Sequence, residues 1–330
     1  MKRFLVIIWF LVQGLYQSYG QDPHFTQFYA NPIYLNPAMA GIAGEHRIIT
    51  NYRNQWPNIP GSYVTYCFSY DGHYDDLAGG IGFQLLYDKA GEGELSHYMW
   101  NFMYSYHLVV SRKFSIKAGI QAQLHQFSID FSKLTWFDMI EPRKGFVRAT
   151  SEPVPNGYFK TRLVNDFAAG IMGFTDKFYF GYAMHHIITP TLSFFNLNNE
   201  DGSFIPQKST FHAGMMIPLE IGRDPKNFLS PNFLFMKQHN FWQINIGGYY
   251  IRDFYLLGVW YRQTSKNTDG VMAMIGLKKD PVKFSYSYDI TTSTARIGSP
   301  GSHEVALIFT FKTYKKPPSI KYRKLICPTF

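Results

Sequence analysis

The chain has 330 residues, of which 18% are aromatic and only 17% charged, with a formal net charge of +9. Beyond the N-terminal leader no run is long and apolar enough for a membrane-spanning helix, and two cysteines are too few for a disulfide framework. A mean hydropathy of −0.18 beside 30 Phe and 24 Tyr disperses the apolar residues as alternating strands would, which argues against a soluble enzyme and against the two-domain reading that length alone suggests.

Residues 1–20 have the layout of a secretory signal peptide: basic Lys2 and Arg3, the short apolar run Phe4–Val12, then Ser18 and Gly20 before Gln21. No cysteine lies near that cut, so no lipidated N-terminus is expected. Residues 21–45 follow as an extended periplasmic or luminal segment containing FYANPIYLNPAMAG, Phe28–Gly41. A residue before proline is pushed out of helical space, so two Asn-Pro steps predict a stiff, bent path. Phe28, Tyr29 and Tyr34 must then bury against the lumen, the rim or another protein, or simply plug a pore. Asn31, Pro32, Tyr34, Asn36 and Pro37 are candidate partner-binding residues.

From residue 46 the chain alternates apolar and polar side chains. Ile116, Ala118, Ile120, Ala122 and Leu124 oppose Lys117, Gly119, Gln121, Gln123 and His125. Tyr98, Trp100, Phe102, Tyr104, Tyr106 and Leu108 form another greasy face. So do Ile81, Phe83, Leu85 and Tyr87. Phe284, Tyr286 and Tyr288 oppose Ser285, Ser287 and Asp289, and Val305, Leu307, Phe309 and Phe311 oppose Glu304, Ala306, Thr310 and Lys312. Alternation fits a soluble sandwich as well as a membrane barrel.

Loop lengths separate the two. About fourteen strands are predicted, at 46–55, 63–72, 79–89, 96–111, 114–130, 163–175, 178–187, 209–222, 228–238, 241–252, 254–265, 269–279, 282–291 and 302–312. Every second connection is mostly tight (Arg112-Lys113, Asp176-Lys177, Arg252-Asp253, Asp280-Pro281), whereas 131–162, 188–208 and 292–301 are long. Sorted loops indicate an all-β, antiparallel outer-membrane β-barrel over residues 46–312, with periplasmic turns and termini and outward loops. Lipid-facing backbone has to pair internally, which demands closure.

Residues 313–330 form a basic tail. Between Lys312 and Lys324 there are six basic residues and no acidic one. Pro317-Pro318 stiffens it. Lys315, Lys316, Lys321, Arg323 and Lys324 are candidate contacts for an acidic periplasmic partner, against the plainer reading of a solvated tail.

No catalytic, cofactor or metal site is read from the pattern. His185 and His186, as strand neighbours, should point to opposite faces and not share a metal. His107 and His125 are read as separate luminal histidines. Cys67 and Cys327 are expected to be unpaired thiols. Gly79-Gly80-Ile81-Gly82 gives room for close packing or bending, not a phosphate cradle, because no helix follows. No nucleophile elbow, P-loop or HExxH motif occurs.

The combination QDPHFTQFYANPIYLNPAMAG, YRNQWPNIPGSYVTYCFSYDG, FSYSYDITTSTARIGSPGSHEVALIFTF and a closing CPTF resembles the PorP/SprF family of type IX secretion system membrane proteins. Asn31, Pro32, Asn36, Pro37, Gly41, Tyr52, Arg53, Gln55 and Trp56 fall on the family motif, which adds Arg53 and Trp56 to the candidate contacts. The resemblance implies an outer-membrane barrel of a Gram-negative, Bacteroidota-type cell, without catalysis or cofactor, serving secretion and gliding. Its partners would be a large secreted surface adhesin, periplasmic or outer-membrane secretion components, and outer-membrane lipid, with no nucleic acid. A dedicated partner of one adhesin is favoured by the long loops. A core component linked to a periplasmic ring, a passive solute porin and an outer-membrane enzyme are the competing readings.

Overall fold

The computed structural model describes residues 22–91, 95–151, 159–194, 203–220, 225–265, 268–292, 301–312 and Cys327. The fourteen barrel strands are β1 His46–Gln55, β2 Tyr63–Tyr74, β3 Gly79–Ala90, β4 Leu95–Ser111, β5 Phe114–Asp130, β6 Phe159–Phe174, β7 Phe178–His185, β8 Lys208–Met215, β9 Asn227–Gln238, β10 Phe241–Arg252, β11 Tyr255–Thr264, β12 Thr268–Lys279, β13 Val282–Thr291 and β14 Gly301–Phe311. Each pairs antiparallel with its neighbours in sequence. The last pairs with the first, from His46↔Phe311 to Gln55↔Ser302, so the sheet closes without a free edge.

The strand positions follow the alternation in the sequence, with two differences. β6 begins earlier than expected, at Phe159. β8 stops at Met215, because Met216 N–H turns back to Lys177 O at 2.7 Å and Ile217–Pro218 pair separately with β9.

Loops sort between the two ends. One end carries Asp75–Ala78, Arg112-Lys113, 175–177, Asp253-Phe254 and Asp280-Pro281. The other carries 56–62, 131–158, 186–207 and 292–300. The connection 216–226 is long for the short-turn end, and 91–94, His239-Asn240 and 265–267 are short for the long-loop end. At both hairpins Asp253-Phe254 and His239-Asn240, the first residue takes the left-handed backbone that the commonest two-residue hairpin turns favour.

The faces are inverted relative to a soluble protein. Phe102 is 60% exposed, Ile120 65% and Val259 64%, while Asn101, Lys117, Gln121, His125, Asp166 and Glu304 are buried inside. A sandwich with a dry centre would have the opposite arrangement. On the outer wall Tyr52, Tyr66, Tyr87 and Tyr98 stand side by side in register across β1–β4. Their ring centroids are 5.1, 6.3 and 4.6 Å apart in turn, an aromatic row of the kind that anchors a barrel at a membrane interface.

Candidate functional site

The lumen is occupied by the chain's own N-terminal segment. Asp22 sits at the long-loop end, beside Gln238, whose Oε1 accepts its N–H at 3.2 Å. The segment then descends to the short-turn end and enters β1 at His46. The sequence reading put both termini on one side; the first described residue, Asp22, lies at the end opposite Phe311.

The Asn-Pro steps are built differently from a purely extended path. Asn31 and Asn36 are non-helical, as residues before proline must be, but each proline opens a short helical turn, Pro32–Leu35 and Pro37–Met39. Asn36 caps the second turn: its Oδ1 accepts Ala38 N–H at 2.9 Å. Its Nδ2 reaches the carbonyls of Ile171 and Tyr182, both at 3.3 Å, and His212 Nε2 at 3.1 Å. Asn31 Oδ1 accepts from Ser69 Oγ and Gln84 Nε2, each at 3.1 Å, and its Nδ2 donates to Cys67 Sγ at 3.1 Å. Both motif asparagines thus tie the segment to the wall. The aromatics bury in the lumen: Tyr29 stacks on Trp260 at 5.8 Å, and Phe28 meets the same ring edge-on at 4.8 Å. Tyr34 donates to Pro23 O and packs edge-on against Phe25 at 5.2 Å.

The segment can lie this close because the wall is thin beneath it. Gly80, Ser105, Gly119, Gly170, Ala183 and Thr210 form one register row across β3–β8. A Cβ on Gly80 would fall 2.1 Å from Ala40 O, and one on Gly119 2.4 Å from Ala38 N. Close packing is therefore what the Gly79–Gly82 stretch provides. Ala40 O accepts from Ser105 Oγ at 2.7 Å and Lys117 Nζ at 2.6 Å. Gly41, with φ +64°, gives its N–H to Asp71 Oδ2 at 2.7 Å, a carboxylate also held by Arg47.

At the other end a buried charge knot grips Thr26 and Gln27. Arg53 donates to Asp289 Oδ2 at 3.1 Å, to Glu304 Oε2 at 3.3 Å and to Thr26 Oγ1. Glu304 accepts the N–H groups of Thr26 and Gln27 at 2.6 and 3.1 Å. Arg262 supplies the second cation, 3.1 Å from Asp289. Two arginines against two carboxylates let the cluster stay buried.

Above the knot a cavity of about 530 Å³ opens among His24, Trp56, His97, Phe127 and Phe204. Asp22 receives Lys208 Nζ at 2.5 Å and lies 2.8 Å from His186 Nε2. His186 Nδ1 is 2.6 Å from Asp166 Oδ2, and His97 Nε2 is 2.9 Å from His125 Nδ1. The expectation that His185 and His186 face opposite sides fails. β7 ends at His185, and His186 takes φ +57°, which turns both rings inward.

Outside the mouth the loop after β5 forms a small hairpin, Ile140↔Phe146, organised by Asp138. Its carboxylate accepts Ser151 N–H at 2.6 Å, Ser151 Oγ at 2.9 Å and Thr150 Oγ1 at 2.8 Å. These bonds, led by the Ser151 N–H, hold Asp138 below the usual carboxylate range. The hairpin presents Phe137, 97% exposed, with Ile140, Phe146 and Val147.

Of the candidate residues, Asn31, Pro32, Tyr34, Asn36, Pro37 and Arg53 converge inside the lumen on one internal interface. Trp56 stands at the mouth, half-buried against Tyr63 at 5.6 Å. Lys315, Lys316, Lys321, Arg323 and Lys324 lie outside the described residues. Cys67 and Cys327 are both buried and no disulfide joins them; Cys327, expected in a periplasmic tail, instead packs in the luminal core with Phe28, Leu35, Ala38 and Met39. The small-residue row, Asp289 and Glu304, and the His97–His125–His186 group were not singled out by the sequence as a site, since their members are joined only by barrel register.

Among solved structures the chain is similar to the CymD monoaromatic hydrocarbon channel at 12% identity, covering 87% of this chain and 94% of that one, with a TM-score of 0.49. It is also similar to Omp33 of Acinetobacter baumannii at 5% identity, covering 82% of this chain and 100% of that one, with a TM-score of 0.46. No curated protein sequence matches it significantly. A family description does: type IX secretion system membrane protein PorP/SprF covers residues 17–309, so this outer-membrane barrel belongs to that family of the type IX secretion machinery.

Proposed function

We propose that this barrel is a non-catalytic docking component that supports export or surface retention of one large, adhesin-like secreted substrate, in the service of gliding. The observation that carries the reading is the filled lumen: Ile33, Asn36, Ala38 and Ala40 are fully buried within the wall. A barrel packed with its own chain offers its two ends as working surfaces. On this reading the long-loop end faces outward, and the hairpin bearing Phe137, Ile140, Phe146 and Val147 is the docking element, an exposed apolar group of the kind that marks an interaction surface. On the same reading the short turns, at the end where β14 stops at Phe311, face periplasmic secretion components, and the basic residues that follow in the sequence are the contact for an acidic partner there. Residues 1–20 are removed as a signal peptide.

Deleting the gene and comparing the surface proteome tests this. Loss of one large surface protein, with other type IX cargo unchanged, is the expected result. Loss of all cargo moves the protein to the core apparatus, and an unchanged surface overturns the proposal. In planar bilayers the purified barrel should stay closed; steady conductance would make it a porin instead.

A further inference from the structure

The geometry points to a divalent transition-metal site, suited to Zn²⁺, at the outer mouth of the lumen, with His125 Nε2, Asp166 Oδ2 and His186 Nδ1 as its protein ligands. One ligand atom from each of these residues lies within 4.8 Å of the other two. Tetrahedral coordination at about 2.1 Å places ligand atoms roughly 3.4 Å apart, which small side-chain rotations here reach. All three residues are fully buried, and His125 Nε2 has no hydrogen-bond partner among the described residues. A buried imidazole nitrogen left empty is costly, so it calls for an occupant.

The surrounding contacts are those that orient metal ligands. With His125 Nδ1 donating to His97 Nε2, the lone pair of His125 Nε2 points into the cluster. His186 Nε2 faces Asp22 Oδ2, leaving Nδ1 for the ion. The other oxygen of Asp166 is engaged by Phe167 N–H at 2.7 Å. Two carboxylates, Asp22 and Asp166, face one lysine, Lys208, across this cluster. The fourth position opens on the mouth cavity, which His97, His125 and His186 line. Because Asp22 belongs to the luminal segment, the ion fastens the mouth end of that segment through His186.

The test uses the full-length barrel in detergent, stripped with chelator, then titrated with Zn²⁺ alone and followed by metal analysis after dialysis. One equivalent per chain is expected, together with the absorption of a tetrahedral site when Co²⁺ is used. H125A and D166N should each lose the retained ion, whereas H107A should keep it. H97A, which removes only a positioning contact, should weaken binding by about 10- to 100-fold. Heat-modifiable migration on gels confirms that each variant is a folded barrel. Zn²⁺ should also slow hydrogen exchange at Thr26 and Gln27 in the wild type but not in H125A. No retained ion in the wild type, or equal retention in H125A and D166N, overturns the site; several weak equivalents insensitive to these variants mean surface histidines only.

Discussion

Gly119→Val tests whether the luminal segment is held by close approach to a thin wall. On the barrel side the change is benign, because valine suits a strand better than glycine, by up to about 1 kcal/mol. On the luminal side the new Cβ would lie 2.4 Å from Ala38 N, 2.5 Å from Pro37 C and 2.6 Å from Ala38 Cα. These are backbone atoms of a turn pinned by Asn36, so no side chain can swing away. Overpacking of this kind costs about 1–3 kcal/mol. All of it falls on the docked state, so the undocked population should rise roughly 5- to 150-fold. Hydrogen exchange reads this directly. The amides of Ala38, Ala40 and Gly41 bond to Asn36 Oδ1, Pro37 O and Asp71 Oδ2 and should lose protection together, while the β4–β5 amides should not. Gly80→Val presses on the same turn through Ala40 O, so the two changes should not add. Unchanged protection at all three amides in Gly119→Val would refute the packing argument.

Asn36→Ala removes a helical cap and the Nδ2 contacts to the wall; docking should weaken by about 2–4 kcal/mol, seen as faster exchange from Ala38 to Gly41 with the barrel still folded. Arg53→Met leaves Asp289 and Glu304 short of a cation at about 3–5 kcal/mol, and Thr26 and Gln27 amides should exchange faster than Gly41, the opposite order to Gly119→Val. Asp138 has a lowered pKa in the folded loop, so its contribution is complete above the unfolded carboxylate value and is lost as pH falls through the lowered one. Ser151 N–H protection should therefore decay in acid in the wild type and be low and flat with pH in Asp138→Asn; a persistent acid transition in the variant would assign it elsewhere.

The wall was legible in the sequence because a barrel in lipid enforces period two on every strand: Tyr98 to Leu108 and Ile116 to Leu124 each declare a face without reference to anything else. Hairpins such as Arg112-Lys113 then fix the neighbours. Of the interior, the luminal placing of 21–45 was one of the readings the Asn-Pro steps allowed, but its seat in the wall was not legible, because that depends on register between distant strands. Gly80 stands out within Gly79–Gly82 as room for close packing, but Ser105, Gly119, Gly170 and Ala183 are unremarkable one by one, and the row becomes a groove only when aligned. Arg53 drew attention as part of a motif, but its partners lie 236 and 251 residues away, and nothing local distinguishes a contact inside the barrel from one outside. The reading of His185 and His186 failed for a different reason. Alternation holds only while the strand lasts, and one left-handed residue at its end cancels the rule.

The luminal segment is held at both of its described ends. Past Glu45 it is continuous with β1 at the short-turn end, while Asp22 is its far end at the mouth. The Arg53 knot and the Asp22–Lys208 pair therefore hold the segment at the mouth, and the small-residue row holds it toward the short-turn end. These two sets of contacts block the lumen in series. Loosening the mouth leaves Pro37–Gly41 seated near the short-turn end, and loosening the row leaves Thr26 and Gln27 clamped at the mouth. Each single variant should stay electrically silent while showing its own exchange pattern. Arg53→Met with Gly119→Val should release both and give steady conductance in a planar bilayer. A single variant that conducts as well as the double would mean that one set alone closes the barrel, and the series arrangement would be wrong.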